Sequence, residues 1–405
     1  MLYEFKKLYS NKAIAIIALF ITVVSVIVPI VFMLDFEYEA YNEKTGKIEV
    51  INGIEALKAK QERQSKAEGK LSIEKSNEIL KFLKSSNSED LAMARGAAKY
   101  PGMYEFLAQA YSEYAQQGDF EVKSVKNANV LYSRNAIVIK SKIKKLKDRG
   151  VDLSNDEKAF AYKQIGKIKK PFMYGFTDHL EIAIKSLIFI YTIVLFCAML
   201  VASQIFSNER KYKMDLLLAS LGRRKVAIIS YKKVIAVIVY VILLALIPAI
   251  VVLGICMVIF GTGGWDVSIH VVGGLFSVPY NLSMGFFVII AVISSILAVV
   301  AVAGATLLID ALLMRPFVSL VLSAAIMSVP MLLKDNEIFP SVIKKWALIQ
   351  PINTSAYLDK ITSVFSFGVS EHRMFVFPSS MVLSIILAGI GTFFAINIFA
   401  RRISK

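Results

Sequence analysis

Side chains able to do covalent or metal chemistry are scarce in this chain of 405 residues. The three histidines, His179, His270 and His372, lie far apart, and no pair has metal-ligand spacing. Cys197 and Cys256 both fall inside long apolar runs, so neither suggests a disulfide framework or a metal site. Thr45-Gly46-Lys47 lacks the preceding glycine of a phosphate loop. Three scattered histidines also give no Ser/His/Asp or Cys/His constellation for hydrolysis. The segment with most to say is residues 207–225. It has a charged entry with Glu209, Arg210 and Asp215, an apolar ridge, and a Gly-Arg-Arg-Lys exit that includes Arg223 and Arg224. Helical spacing places Leu217, Leu218 and Leu221 on one face. A short amphipathic helix of this kind either docks into a groove of a soluble partner or lies on the membrane as a basic topology anchor.

The elements around that segment are set by hydropathy. The chain is 56% hydrophobic and 19% charged, with a mean hydropathy of +0.59. Soluble domains are typically about 45–50% apolar and about 25% charged, so a wholly soluble protein is excluded. The net charge of +16 would suggest nucleic acid on a soluble protein. Here it is unevenly divided: residues 35–182 carry 26 basic and 22 acidic side chains, the remainder 21 and 9. The chain is thus a polar domain of ordinary composition joined to an apolar, basic remainder, and no nucleic-acid partner is expected.

A membrane span needs roughly 20 apolar residues. Six runs qualify: residues 13–34, 182–206, 234–260, 282–308, 317–333 and 375–399. The first is too long for a signal peptide and lacks a small-x-small cleavage site, so it reads as a retained span. Pro248 predicts a kink in the third. The loops that would share a side with both termini hold 15 basic and 4 acidic groups. The positive-inside rule therefore puts both termini in the cytoplasm. The expected class is an all-α integral membrane protein with six transmembrane helices. Residues 1–34 form an amphipathic segment and the first span, 35–181 an extracytoplasmic domain, and 182–405 the remaining bundle. That bundle carries a cytoplasmic loop at 207–233 and an external segment at 334–374. The expected location is the plasma membrane.

The outer domain reads as mainly helical. Helices are expected over 54–83, after Pro101, and around Ile137, Ile139, Ile143 and Leu146 with a stop at Gly150. Ser154-Asn155-Asp156-Glu157 has the form of a capping box, starting a helix from Asn155 towards Lys167. Short strands fit 47–51 and 121–125. The basic run 140–149 is either a solvated helix face or a contact for anionic headgroups or polymer. Asp310 and Arg315 suggest a local ion pair at the inner end of the fourth span. Residues 338–349 and 354–367 each have an apolar side, as two interfacial or re-entrant helices would, although a plain loop also fits.

Glu209-Arg210, Leu216-Leu217-Leu218, Arg223-Arg224 and Lys232-Lys233 together resemble the coupling segment of ABC-2-type (type V) ABC-transporter permeases of bacteria. An amphipathic stretch before the first span (Leu2, Phe5 and Tyr9 on one face) and external helices before the last span fit the same family. The resemblance covers about 260 residues, the spans and loops but not the outer domain. Leu221-Gly222 departs from the proline often found there and is also similar to four-span permeases of the macrolide-exporter type. The family implies a permease subunit that exports an apolar or amphipathic substrate, such as a peptide, lipid or antibiotic. Glu209, Arg210, Asp215, Leu217, Leu218, Leu221, Arg223 and Arg224 would form its ATPase-coupling segment. It also implies a cytoplasmic ABC ATPase partner that holds ATP and Mg, a second permease subunit, and no cofactor or catalytic residue in this chain. The competing reading is a membrane-anchored sensor or immunity protein whose outer domain binds an antimicrobial ligand.

Overall fold

A computed structural model describes residues 12–42, 47–84, 129–148, 153–272, 275, 278–333, 341–353, 357–368 and 372–404. The expected amphipathic start at 1–10, the helix after Pro101, the strand at 121–125 and the stop at Gly150 lie outside these residues.

Among the described residues, six helices are long and apolar enough to cross a membrane. They are α1 (Lys12–Leu34), α6 (Asp178–Ala202), α9 (Arg223–Phe260), α10 (Met284–Leu313), α11 (Pro316–Leu333) and α14 (Val376–Ile403). In such an apolar setting every backbone group must bond within the helix, so long uninterrupted runs fold this way. One boundary differs from the hydropathy reading. α9 begins at Arg223, eleven residues before the apolar run, because no breaker stands between Gly222 and that run. The flanking glycines, Gly222 and Gly261, have positive φ, +74° and +78°, a region that glycine enters without a Cβ clash. At 38 residues α9 is about 57 Å long, well beyond a hydrocarbon core of about 30 Å, so the helix is longer than a span needs. The helix continues through Pro248.

α6 lies at the centre, packed against α1, α9 and α10, and its buried residues recur around nearly its whole circumference. Two tyrosines add directional bonds to this apolar packing. Tyr191 Oη donates to Ala245 O at 3.0 Å, tying α6 to α9, and Tyr240 Oη donates to Ile14 O at 2.9 Å, tying α9 to α1. α10 and α14 meet most closely. A Cβ at Gly391 would lie 2.5 Å from the carbonyl carbon of Gly304, so backbone touches backbone.

The connections gather at the two ends of the bundle. At one end sits the polar domain. Strands β1 (Glu37–Asn42) and β2 (Lys47–Asn52) form an antiparallel ribbon and lead into α2 (Gly53–Ser65). The single helix expected over 54–83 is instead broken. Gly69, at φ +131°, begins the short strand β3 (Gly69–Lys70), and α3 (Ile73–Lys84) follows. α4 (Asn129–Asp148) and α5 (Asn155–Ile165) match the predicted helices, and Ser154 and Glu157 make the reciprocal capping bonds. β4 (Met173–Tyr174) pairs with β3.

The external segment supplies α12 (Ser341–Ile349) and α13 (Tyr357–Thr362). The second is shorter than expected because Ser366–Phe367 (β5) leaves the helix to pair with Met374–Phe375 (β6). The described residues are therefore mostly helical, with three two-stranded ribbons beside the helices. At the opposite end lie residues 203–222, which hold α7 (Ser207–Lys211) and α8 (Met214–Ala219), the α10–α11 turn and the C-terminal turn of α14.

Replacing Gly391 with leucine should force α10 and α14 apart. We expect a loss of about 1–3 kcal/mol, the usual range for overpacking, read as a lowered thermal midpoint of the detergent-solubilised chain.

Candidate functional site

Residues 203–222 carry every proposed coupling residue except Arg223 and Arg224, which open α9. This connection is fixed to the bundle by buried polar groups, although loops normally stay exposed and solvated. Asp310, fully buried inside α10, is the centre of that attachment. Its carboxylate accepts from Phe206 N at 2.7 Å, Ser207 N at 3.2 Å and Ser207 Oγ. Those two amides belong to the start of α7 and have no intrahelical acceptor of their own. Asp310 thus does for another element what a capping residue does for its own helix. The ion pair expected with Arg315 does not form. The chain reverses through the left-handed Met314 (φ 53°), leaving Arg315 exposed, while Asp310 faces the turn after α6.

A second buried bond follows one turn later. Glu209 in α7 pairs with Lys233 in α9, both sequestered. Each charge satisfies the other in a place where either alone would be strongly unfavourable. Phe206, buried at the same turn, packs against Phe399 of α14 with ring centroids 4.4 Å apart. The Arg402 guanidinium of α14 donates to Leu312 O at the end of α10. One short segment is consequently tied to α9, α10 and α14 together.

The leucine ridge divides. Leu218 is 5% exposed and faces the bundle, with the half-buried Leu221 packed on the same core. Leu217, expected on that face, is 59% exposed and lies beside Leu216 at 73%. Adjacent residues on a helix are about 100° apart, and a six-residue helix with one buried side holds only one of the pair inward. Tyr212 and Met214 join the outward apolar group. Around it, Arg210, Lys211, Lys213, Arg223, Arg224 and Lys225 are all exposed. Asp215, half-buried, accepts from Leu216 N at 3.1 Å and holds the first turn of α8.

The eight predicted residues therefore separate by role. Glu209 and Leu218, with the half-buried Leu221, anchor the segment from within. Arg210, Leu217, Arg223 and Arg224 form its outer surface, and Asp215 shapes the turn between. Two anchors, Asp310 and Lys233, were not among them. A lone aspartate in an otherwise apolar run and the second lysine of Lys232-Lys233 were the available signals.

At the other end the domain is also attached to the spans. Lys60 Nζ of α2 lies 2.8 Å from Asp178 Oδ1 at the start of α6, and Gln61 Nε2 donates to Phe260 O at the end of α9, at 2.7 Å. Comparisons with protein-family models, curated proteins and solved structures produced no match to this chain.

The Glu209–Lys233 pair predicts a non-additive cycle. Glu209→Leu or Lys233→Met alone should destabilise the chain by about 3–5 kcal/mol, because each leaves a buried charge unpaired. The double variant should recover most of that loss, as read from thermal unfolding in detergent.

Proposed function

We propose that this chain is the membrane-spanning permease subunit of an ABC exporter of the ABC-2 type. In this reading both termini and residues 203–233 face the cytoplasm, and residues 35–181 face outward from the plasma membrane. A separate cytoplasmic ABC ATPase binds ATP and Mg and docks on α8, and two permease subunits form the path. The cargo is an apolar or amphipathic peptide, lipid or antibiotic.

One observation carries the reading: residues 203–222 are anchored internally to three spans, while their outer surface shows an apolar knob ringed with basic side chains. A surface anchor for topology needs the basic ring but has no use for an attachment to α9, α10 and α14. A segment that passes on a partner's movement needs both. The exposed Leu216 and Leu217 suit an apolar groove, and the arginines and lysines suit an acidic rim around it.

Replacing both Leu216 and Leu217 with aspartate should abolish co-purification with the ATPase and substrate-stimulated ATP hydrolysis. The thermal midpoint of the isolated chain should stay within a degree or two, since both side chains are exposed. Retention of full coupling would reject the docking surface. Persistent inward signalling after the ATPase is inactivated would favour the sensor reading instead.

The proposed orientation is tested with single cysteines in a background lacking Cys197 and Cys256. A membrane-impermeant maleimide added to intact cells should label a cysteine at Val50 and leave one at Lys213 unlabelled. The reverse pattern would invert the topology.

A further inference from the structure

Several lysines drawn out of solvent among the described residues have carboxylate partners, and Lys360 does not. Lys233 has Glu209, Lys60 has Asp178, and Lys345 of α12 has Glu157 of α5 at 3.2 Å. Lys360 of α13 is 4% exposed, more completely buried than any of these, and among the described residues no carboxylate lies within ion-pair distance of its Nζ. Among the described residues its one hydrogen bond goes to Gln350 O at 3.1 Å, in the turn between α12 and α13. An ammonium has three N–H donors, so two have no partner among the described residues.

The surroundings add positive charge. Lys344 and Lys345 lie on α12, and the lysine-rich α4 is docked against the same segment. Ile139 and Ile143 of α4 pack on Val364, while Lys142 Nζ approaches Thr362 O at 3.5 Å. The described acids near this corner are Asp359, on the exposed side of α13, and Asp156 and Glu157 of α5, which pair with Arg373 and Lys345. Burial lowers the Lys360 amine to about 7, so at neutral pH an adjacent anion would decide its charge.

Exposed apolar side chains on the same two helices indicate where that anion comes from. Trp346 is 48% exposed on α12, next to the exposed Val342, and Leu358 is exposed on α13. α12 packs against α11 and α14, and α13 against α14. A tryptophan beside aliphatic residues at the end of an apolar bundle is placed at headgroup depth, with its ring in the acyl boundary.

We propose that Lys360 is the anchor of a binding site for an anionic phospholipid, its phosphate taken between α12 and α13 and its acyl chains lying along Val342, Trp346 and Leu358. The lysines of α4 and α12 would draw such lipids to this corner, and Lys360 would hold one. The site is separate from the coupling surface, and its test needs no ATPase, so it stands or falls independently of the export reading.

The test uses the full chain in phosphatidylcholine nanodiscs containing a small fraction of a lipid with brominated acyl chains. The protein has two tryptophans, and bromine quenches those it touches. Brominated phosphatidylglycerol should quench more strongly than the same fraction of brominated phosphatidylcholine. That excess should vanish in Lys360→Met, remain in Lys360→Arg, and resist millimolar inorganic phosphate. Thermal unfolding should show Lys360→Met at least as stable as the parent in phosphatidylcholine alone, since an unpaired buried amine is removed. If methionine prevents folding, Lys360→Gln replaces it with the same expectation. Equal quenching by the two lipids, or an excess that survives loss of Lys360, would overturn the site. Relief of quenching by inorganic phosphate would show a site for a free anion and would also overturn the lipid assignment.

Discussion

A charge removed from water must meet its partner inside the protein, and in an apolar bundle this requirement decides where the few ionisable groups can lie. Asp310 has no cation beside it among the described residues and is satisfied by the amides of Phe206 and Ser207 and by the Ser207 hydroxyl. Those amides are available only because the chain ends α6 at Ala202 and restarts a helix at Ser207. The carboxylate thus dictates the turn, the turn positions Glu209, and Glu209 requires Lys233. The placement of α8 and its outward leucines follows from this short series of satisfactions. Apolar packing alone would hold the spans together without specifying how the loop sits on them.

Much of this was readable beforehand. A run of some twenty apolar residues has few alternatives, so the six long apolar helices were found to within a few residues wherever composition changes sharply. The exception was α9. Lys232 and Lys233 look like the end of an apolar run, yet lysine is a good helix former, and the helix stops only where Gly222 can take a positive φ. Ser154 and Glu157 were legible because a capping box is entirely local. Gly69 was visible as a breaker, but pairing of β3 with β4 depends on Met173 and Tyr174, about a hundred residues later, which no local pattern reports.

The site was legible in composition and illegible in direction. Residue types showed that charge and leucine meet in residues 207–225, but not which of them face inward. Helical spacing grouped Leu217 with Leu218, whereas a six-residue helix held at one point turns only Leu218 inward. Arg315 was the nearest charge to Asp310 in sequence, and the backbone reversal at Met314 directs it away. Nearness along the chain is a poor guide wherever a left-handed residue intervenes.

α9 is attached to its neighbours in a particular order along its length. Lys233 meets the loop near one end, Tyr240 and Ala245 bond to α1 and α6 around the middle, and the Phe260 carbonyl receives Gln61 at the other end. A stiff rod held at its middle is a lever with a fulcrum. With arms of roughly 28 Å, a tilt of about 10° carries each tip about 5 Å. The two tips travel in opposite directions, so a push that closes the bundle at the basic end would open it where the domain rests.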